Sequence, residues 1–479
     1  MRVAIIGGGV AGLAAAYELE KSGVAYTLFE ASPRLGGVIA SEIVDGAVLE
    51  LGPDSFLTEK PQAAELCREL GLGDQLVGSN DEARKTFIVV KNRLIAMPDG
   101  LMFLIPTKLI PTALTGLFSI GTKIRMGFEL LHPPRKTDGR DESVADLVRR
   151  HYGPEAVDRL ADPLLSGIYG GDSSQLSAQT VLPKLVEMEQ EYGSLTRGML
   201  AGHRKMKAAM KARAREAAHS SPTSPAQKPA PARTIFTTLK GGMKQLTEAL
   251  TAKLNPASIR LSSPVTSLEP VGDGWLVKTG DSDPAAQQFD AVILCTQAWA
   301  AGRMLEKVDP ELAADLSAVA YSSSVTVNLV YKNSEINLPE GFGFLVPASE
   351  GRAMLACTFV HRKFLGRTPA DQAVLRAFLG GMRGESLLAE SDADLIATVR
   401  RELNEILHLT AAPVTTRVTR WKRSMAQYSV GHNDRKARIA EHVAKLKGLY
   451  LAGNAYDGIG ISDCIRLGRK AAKEIASSV

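Results

Sequence analysis

Three glycines near the start of the chain have the spacing of a phosphate-binding turn. Gly7, Gly9 and Gly12 form the pattern G-x-G-x-x-G, which follows a predicted strand and opens a predicted helix. Backbone N–H groups and the helix dipole can hold a pyrophosphate there. Glu30 ends the next predicted strand, where a carboxylate accepts ribose hydroxyls and excludes a 2′-phosphate. The combination predicts a dinucleotide site, against the alternative of a purely structural glycine turn.

Two further segments extend this pattern. A second glycine pair, Gly36 and Gly37, follows Arg34, a feature that nicotinamide enzymes seldom have. The Arg34 guanidinium can neutralise phosphate, the alternative being an ordinary solvated arginine. Near the other end, residues 458–461 lead into the last predicted helix. The N-terminus of that helix is suited to stabilise negative charge on a reduced cofactor ring.

Several segments resemble the flavin amine oxidase superfamily. They are GGGVAGLAAAYELEKSG, EASPRLGG, ELGPDSF and the closing LYLAGNAYDGIGISDCIRLGRKAA. Four others are similar to one branch, the oxygen-dependent porphyrinogen oxidases of haem synthesis: ESVADLVRRHYG, DPLLSGIYGGDSSQLSAQTVLPKLVEMEQEYGSL, GFGFLVP and WKRSMAQYSVGH. The likeness covers nearly the whole chain apart from a basic, Pro-rich insertion.

The resemblance implies FAD as the cofactor. Cys464 opens the last predicted helix, but its neighbours do not resemble a covalent flavin attachment motif, so the FAD is expected to be non-covalent. The glycine segments and the family motifs together assign the following residues to FAD: Gly7, Gly8, Gly9, Val10, Ala11, Gly12, Glu30, Ala31, Arg34, Gly37, Val38, Gly52, Pro53, Asp54, Ser55, Val265, Trp421, Asn454, Ile459, Gly460 and Ile461.

On the substrate side, the resemblance places Gly167 beside the substrate ring. Family members often carry an arginine or lysine that pairs a propionate on the strand entering the substrate domain, but the matching position here is Thr86. Arg84 and Lys85 lie close by and are the candidates for that role, the alternative being solvated charges at a strand end.

Apolar residues of the later strands are candidates for the walls of the substrate cavity. They include Leu329, Phe342, Phe344 and Leu345, and the competing interpretation for any one of them is ordinary core packing. His361 and His432 are treated as ordinary histidines. No catalytic acid or base is assigned, because pyrrole N–H groups can lose protons to water.

The implied reaction is the oxidation of a porphyrinogen to the porphyrin. Six electrons leave in three hydride transfers to flavin N5, and oxygen is the acceptor, giving hydrogen peroxide. Two substrates stay open, protoporphyrinogen IX with two propionates and coproporphyrinogen III with four. No richly cationic pocket is evident, which slightly favours protoporphyrinogen IX. A flavin amine oxidase, a carotenoid desaturase and a non-catalytic FAD- or porphyrin-binding protein are the rival functions.

These elements predict an α/β plus α+β architecture of discontinuous parts. A Rossmann-type FAD-binding domain comprises residues 1–83, 234–300 and 445–479. A sheet-based substrate domain comprises residues 84–97 and 301–444. A helical domain takes residues 98–203, and residues 204–233 form a flexible insertion in which eight basic residues outnumber one acidic residue.

Composition limits the partners. The net charge of +5 is mild and its basic residues are interleaved with acidic ones, which argues against nucleic acid. The four cysteines are far apart and predict no metal site in a cytosolic, reduced protein.

No membrane-spanning helix is expected. A peripheral membrane contact through residues 101–128, on the cytoplasmic face, stays open, as do a contact with the next haem-pathway enzyme and the choice between monomer and homodimer.

Overall fold

The structure is a computed structural model that describes residues 1–102, 104–135, 139–219, 234–280 and 286–478. Its strands are β1 (Arg2–Ile6), β2 (Ala25–Phe29), β3 (Ser41–Val44), β4 (Ala47–Glu50), β5 (Phe56–Leu57), β6 (Leu76–Gly78), β7 (Thr86–Val90), β8 (Arg93–Ala96), β9 (Leu101–Met102), β10 (Ile105–Pro106), β11 (Phe236–Leu239), β12 (Ile259–Arg260), β13 (Val265–Val271), β14 (Gly274–Thr279), β15 (Gln287–Phe289), β16 (Ala291–Leu294), β17 (Tyr321–Lys332), β18 (Gly343–Leu345), β19 (Met354–Phe359), β20 (Gln372–Gly380), β21 (Thr415–Ala426) and β22 (Leu449–Leu451).

The α-helices alternate with these strands in the first and last thirds of the chain. They are α1 (Val10–Lys21), α2 (Gln62–Glu69), α3 (Leu109–Leu114), α4 (Ile120–Phe128), α5 (Val144–Tyr152), α6 (Pro154–Ala156), α7 (Asp162–Tyr169), α8 (Ala178–Val181), α9 (Pro183–Tyr192), α10 (Leu195–His219), α11 (Lys244–Thr251), α12 (Ala298–Leu305), α13 (Pro310–Ser317), α14 (Val360–Lys363), α15 (Asp392–Leu407), α16 (His432–Lys445) and α17 (Ile461–Ala476).

A five-stranded parallel sheet holds the two ends of the chain together. Its strand order is β12-β2-β1-β16-β22, with β1 in the centre. Residues 3–6 and Ala291–Leu294 are buried throughout, as continuous apolar runs are when both faces of a parallel sheet are covered. Helices α1 and α17 pack against each other on this sheet. The predicted βαβ opening and the closing strand and helix are confirmed.

A seven-stranded, mostly antiparallel sheet forms the second layer, in the order β21-β17-β20-β19-β18-β7-β8. Side chains alternate between its two faces. On one face, Val327 and Leu329 pack beneath α15. On the other, Thr326 and Asn328 donate hydrogen bonds to the backbone of residues 50–51, which precede the ELGPDSF glycine. The second face of this sheet therefore meets the N-terminal nucleotide-binding segments.

Helices α4 to α10 build a third region around a shared apolar core. Within the described residues, no helix is both long and apolar enough to cross a bilayer. Helix α10 continues to His219, so residues 204–219 of the predicted flexible insertion are helical. Residues 220–233 of the predicted insertion lie outside the described residues, and the predicted domain boundaries remain predictions.

Candidate functional site

The turn between β1 and α1 depends on three glycines. A Cβ on Gly12 would lie 1.9 Å from the Gly7 carbonyl oxygen, so only glycine lets the helix approach the strand this closely. Gly7 has φ +107°, a backbone conformation that favours glycine. Gly9 is the N-cap of α1, and a Cβ there would meet no atom within 4 Å. Open space therefore lies over the helix N-terminus, where a pyrophosphate fits.

The Glu30 carboxylate is held at the end of β2. Its Oε2 accepts a hydrogen bond of 2.6 Å from the Gly8 N–H, and its Oε1 accepts one of 2.8 Å from the Ser32 N–H, just beyond Ala31. Glu30 remains partly exposed. This is the position that the dinucleotide interpretation requires for a carboxylate that binds ribose hydroxyls.

The second glycine pair lies directly against the first. The Gly36 N–H donates to the Gly8 carbonyl at 2.8 Å, and a Cβ on Gly37 would lie 3.1 Å from the Gly9 Cα. The exposed Arg34 donates to the Gly37 carbonyl at 2.6 Å. In this structure Arg34 thus stabilises its own loop, and its contact with phosphate stays a prediction.

The next predicted cofactor segment is fixed by the seven-stranded sheet. A Cβ on Gly52 would lie 1.7 Å from the Val38 carbonyl oxygen, so this position also requires glycine. The Trp421 indole N–H donates to the Leu51 carbonyl at 2.7 Å, and the buried Arg376 guanidinium donates to the Gly52 carbonyl. The backbone of this segment is therefore set by side chains far away in sequence.

Beyond Pro53, Asp54 lies partly buried beside charged side chains. Burial opposes ionisation of its carboxyl, but Lys363 at 2.9 Å and Arg376 outweigh it and hold the Asp54 pKa below its usual value. The Ser55 hydroxyl donates to the same carboxylate at 2.6 Å. Asp54 is consequently ionised at neutral pH and ties the cofactor segment to the end of α14.

The C-terminal cofactor segment runs between β22 and α17. The Asn454 side chain donates to the Ser424 carbonyl at 2.9 Å and so connects this segment to β21. Ile459 and Gly460 are partly exposed and precede α17, whose first residue is Ile461. Val265, at the start of β13, is also only partly buried. These positions can face a shared ligand, although contact with FAD itself stays a prediction.

Cys464 is an inert thiol in this structure. Burial raises its pKa to about 12, so it is not a thiolate at neutral pH. The predicted absence of a covalent flavin linkage is consistent with that chemistry and remains a prediction.

On the substrate side, Gly167 in α7 packs against the sheet. A Cβ on Gly167 would lie 3.1 Å from a Leu345 methyl carbon, so a larger residue would crowd the space between α7 and β18. Thr86 pairs with Gly343 in the register of β7 and β18 and lies on the same sheet face as Ile88, which packs into the helical region. The unusual threonine therefore lies on the face that meets α7.

Leu329 and Phe344 lie in the core instead. Both pack on the opposite face of the sheet, beneath α15. This placement favours the core alternative over the predicted cavity wall, and Leu345 is the neighbouring residue that faces α7. Arg84 and Lys85 are exposed before β7, and no ion pair of theirs occurs within the described part of the chain. Their role as propionate partners stays a prediction.

The sequence interpretation missed a cationic pair around Trp299. The guanidinium carbon of Arg303 lies 4.7 Å, and that of Arg423 4.6 Å, from the centre of the indole ring. Neither arginine forms an ion pair among the described residues. Arg423 has φ +44°, which strains a non-glycine residue and is typical of functional positions. Sequence spacing gave no signal because the two arginines are brought together only by the fold.

Comparisons with known proteins agree over the full length. The family model described as flavin containing amine oxidoreductase matches residues 10–476. The chain is 34% identical to the coproporphyrinogen III oxidase of Bacillus subtilis, over 98% of this chain and 97% of that protein. It is 29% identical to the chloroplastic protoporphyrinogen oxidase 1 of Arabidopsis thaliana, over 98% and 87% of the two chains.

A solved structure gives the same result for the fold. The structure of a protein from Exiguobacterium sp. 255-15, described as a candidate protoporphyrinogen oxidase, superposes with a TM-score of 0.84 at 32% identity, covering 100% of this chain and 99% of that one. The glycine turn, the Glu30 carboxylate and the open space over Gly9 fit the FAD that this similarity implies.

Proposed function

The chain belongs to the flavin-containing amine oxidoreductase family, and from that premise we propose that it oxidises coproporphyrinogen III to coproporphyrin III with FAD in haem synthesis. The observation that carries the proposal is the full-length similarity to the B. subtilis coproporphyrinogen III oxidase. The identity to the chloroplastic protoporphyrinogen oxidase is lower, and a smaller share of that protein is covered.

This proposal replaces the slight sequence-based preference for protoporphyrinogen IX. That preference depended on the lack of an evident cationic pocket. The structure brings Arg303 and Arg423 together around Trp299, and Arg423 directly precedes Ser424, which binds Asn454. These two guanidinium groups form no ion pair among the described residues, and they can pair the additional propionates that distinguish coproporphyrinogen III, because a carboxylate is costly to bury alone.

Bound FAD would supply the two-electron chemistry, accepting one hydride from the substrate in each of three cycles and passing the electrons to oxygen as hydrogen peroxide. The residues of the chain would bind the cofactor and orient the substrate. The turn at Gly9 and the Glu30 carboxylate would hold the pyrophosphate and the adenosine ribose. Gly167 and Leu345 would set the thickness of the space that receives the flat face of a tetrapyrrole. Excluding water from the site and orienting the substrate toward the flavin would supply most of the catalysis.

No side-chain acid or base is included in the proposal. The buried His432 has its pKa lowered to about 4 by burial and by the neighbouring Arg435 and Lys436, so it is neutral at physiological pH. His361 is bonded to the Val374 backbone within the substrate sheet, and burial lowers its pKa as well. Protons leave from the pyrrole N–H groups to water, which needs no side chain.

Stoichiometry tests the proposal. Purified protein loaded with FAD should convert coproporphyrinogen III to coproporphyrin III with about three oxygen molecules consumed and three peroxide molecules formed per porphyrin, because six electrons leave in pairs. Porphyrin fluorescence, an oxygen electrode and a peroxide assay follow the three quantities together. Absence of porphyrin formation above the rate of a flavin-free control would contradict the proposed function.

A further inference from the structure

Two adjacent buried residues, Gln427 and Tyr428, join the substrate side of the site to the flavin side. They follow directly after β21 and are 3% and 4% exposed. Their side chains make hydrogen bonds to two different parts of the chain, neither of which the sequence interpretation connected. The contacts of each side chain indicate what it fixes in place.

The Gln427 amide binds the end of α7. Its Nε2 donates to the Tyr169 carbonyl at 2.7 Å and to the Ser322 hydroxyl at 3.0 Å. The Ser322 hydroxyl donates to the same carbonyl at 3.3 Å. Tyr169 is the last residue of α7, and carbonyls at a helix end lack a partner within the helix. Gln427 therefore fixes the end of the helix that carries Gly167.

The Tyr428 hydroxyl binds the segment between β22 and α17. It donates to the Asn454 carbonyl at 2.9 Å and accepts from the Gly458 N–H at 2.8 Å. The Tyr428 ring stacks on His432 with the ring centres 4.2 Å apart, which holds the hydroxyl in place. One phenol thus clamps both ends of the loop that leads to the predicted flavin-facing helix.

The backbone on both sides of the pair is anchored too. The Gln427 N–H donates to the Ala320 carbonyl, and the Ser177 N–H donates to the Tyr428 carbonyl, each at 2.8 Å. The Val430 N–H donates to the Gln175 carbonyl at 2.9 Å. Because its backbone is held in this way, the pair cannot move toward one of its targets without moving from the other.

We propose that Gln427 and Tyr428 are positioning residues that set the distance between the substrate-bearing helix α7 and the flavin-facing loop of residues 454–460. The proposal rests on the proposed function, because it takes Gly167 as the substrate side and Asn454 as the flavin side. Hydride transfer depends steeply on the separation of donor and acceptor, and a misplacement of about 1 Å can slow a reaction roughly 100-fold. The pair fixes that separation without touching the reacting atoms.

The Tyr428→Phe variant tests the flavin half. It keeps the ring that stacks on His432 and removes both hydrogen bonds of the hydroxyl. We expect the Kd for FAD, measured by quenching of flavin fluorescence, to rise about fivefold or more because two hydrogen bonds are lost. The melting temperature of the flavin-free protein serves as the check on folding. Tyr331→Phe is the matched control, because Tyr331 is equally buried but lies beneath α15.

The Gln427→Met variant tests the substrate half. Methionine has a similar length and also removes the Gln427 Oε1, which is buried and accepts no hydrogen bond from the described residues, so the fold should tolerate it. We expect an unchanged Kd for FAD and a limiting rate of anaerobic flavin reduction that is lower by at least about fivefold. We also expect faster amide exchange at the end of α7. Gln372→Met, at the far end of β20, is the control. Ser322→Ala, which removes the other donor to the Tyr169 carbonyl, should change rate and exchange in the same direction.

These measurements separate the inference from the proposed function. If the unaltered protein oxidises no porphyrinogen, the proposed function fails, whereas FAD affinity and amide exchange still decide the positioning roles. An unchanged Kd for FAD in Tyr428→Phe, or unchanged amide exchange at the end of α7 in both Gln427→Met and Ser322→Ala, would overturn the inference. Unchanged flavin reduction in a protein that does oxidise porphyrinogen would do the same.

Discussion

The indole N–H of Trp421 donates a 2.7 Å hydrogen bond to the carbonyl oxygen of Leu51, and so joins the seven-stranded sheet to the segment before Gly52. The Thr326 hydroxyl donates to the same carbonyl at 3.2 Å. Both donors belong to the face of the seven-stranded sheet that contacts residues 50–51. The predicted cofactor segment is thus held in place by side chains of the seven-stranded sheet.

The open space over Gly9 gives the first prediction. A Cβ at Gly9 would meet no atom of the described residues within 4 Å, and the residue has φ −71°, so Gly9→Val should fold normally. The added methyl groups would occupy the expected position of the pyrophosphate, and we expect FAD binding to fall below detection. Gly202→Val is the control, since Gly202 on α10 also faces open space. Normal flavin content in purified Gly9→Val would contradict the proposed cofactor site.

Gly9 is a cleaner test than Gly12. A Cβ on Gly12 would lie 1.9 Å from the Gly7 carbonyl oxygen. A substitution there would separate α1 from β1 and disturb the fold as well as the cofactor site, so a loss of FAD would not identify its cause.

Arg423 gives a prediction about substrate choice. If its guanidinium pairs a propionate of coproporphyrinogen III, Arg423→Met should raise the KM for that substrate about tenfold, equivalent to about 1.4 kcal/mol of binding. The KM for protoporphyrinogen IX should change less. Arg401→Met, on the exposed side of α15, is the control. Equal changes in both KM values would show that Arg423 does not discriminate between the two substrates.

A buried ionic cluster in the helical region gives a prediction about pH. His151 lies between Glu129 at 3.0 Å and Glu189 at 3.1 Å, and all three are almost fully buried. Burial lowers the pKa of His151, but its hydrogen bonds to the two carboxylates outweigh burial and raise that pKa above the usual 6.5. Burial also raises the pKa of Glu189, but its hydrogen bonds with His151 and Arg150 and the charge of Arg150 outweigh burial and lower that pKa to about 2.

The sign of the stability change follows from these shifts. The His151 contribution is fully present below about pH 6.5 and is lost as the pH rises through the raised pKa of the folded state. The free energy of unfolding, measured by urea denaturation, should therefore fall between pH 6.5 and alkaline pH. His151→Phe leaves Glu129 buried without its imidazolium and should cost about 3–5 kcal/mol at pH 6. The same substitution should also make the free energy of unfolding fall less steeply toward alkaline pH.

The exposed His408 provides the control for this measurement. His408→Asn should retain the full pH profile, because asparagine tolerates the positive φ of that position. A His151→Phe protein whose stability declines with pH as steeply as that of the unaltered protein would contradict the assignment.

An exposed apolar patch on the helical region gives the prediction about membranes. Six residues of α3, α4 and the turn that follows are 55–80% exposed: Ile110, Leu114, Ile120, Ile124, Phe128 and Leu131. This exposure favours the open membrane-contact alternative over burial of these groups. The protein should float with vesicles of phosphatidylcholine and phosphatidylglycerol.

A double variant tests whether the patch is responsible. Ile120→Asp combined with Phe128→Asp should reduce the bound fraction at least tenfold, because it places two charges where apolar groups would enter the lipid. Leu365→Asp, at an exposed leucine elsewhere, is the control. Failure of the unaltered protein to float at low salt would rule out this contact.

The glycine turn and the Glu30 carboxylate could be predicted from sequence because each depends on residues that are close together in the chain. A glycine turn after a strand, and a carboxylate at the end of the next strand, need only neighbouring residues to define them, and the structure places Gly8 and Glu30 in direct contact. Long-range partners gave no such signal. Arg376 and Trp421 act on residues 51–52 from strands whose register depends on the complete sheet.

Leu329 and Phe344 show a second limit. Alternation along a strand identifies which residues share a face, but it does not say which face is covered by α15 and which by α7. The assignment of these two residues to the cavity wall required that missing information. Leu345, which the same prediction named, lies one residue beyond Phe344 and faces α7.

The proposed preference for coproporphyrinogen III is tested by comparing kcat/KM for coproporphyrinogen III and protoporphyrinogen IX with the same FAD-loaded protein under oxygen. Porphyrin fluorescence and peroxide are followed together, with the spontaneous oxidation of each substrate subtracted. We predict a preference of at least about tenfold for coproporphyrinogen III, equivalent to about 1.4 kcal/mol of transition-state discrimination. A kcat/KM that is equal for the two substrates, or higher for protoporphyrinogen IX, would contradict the proposed function.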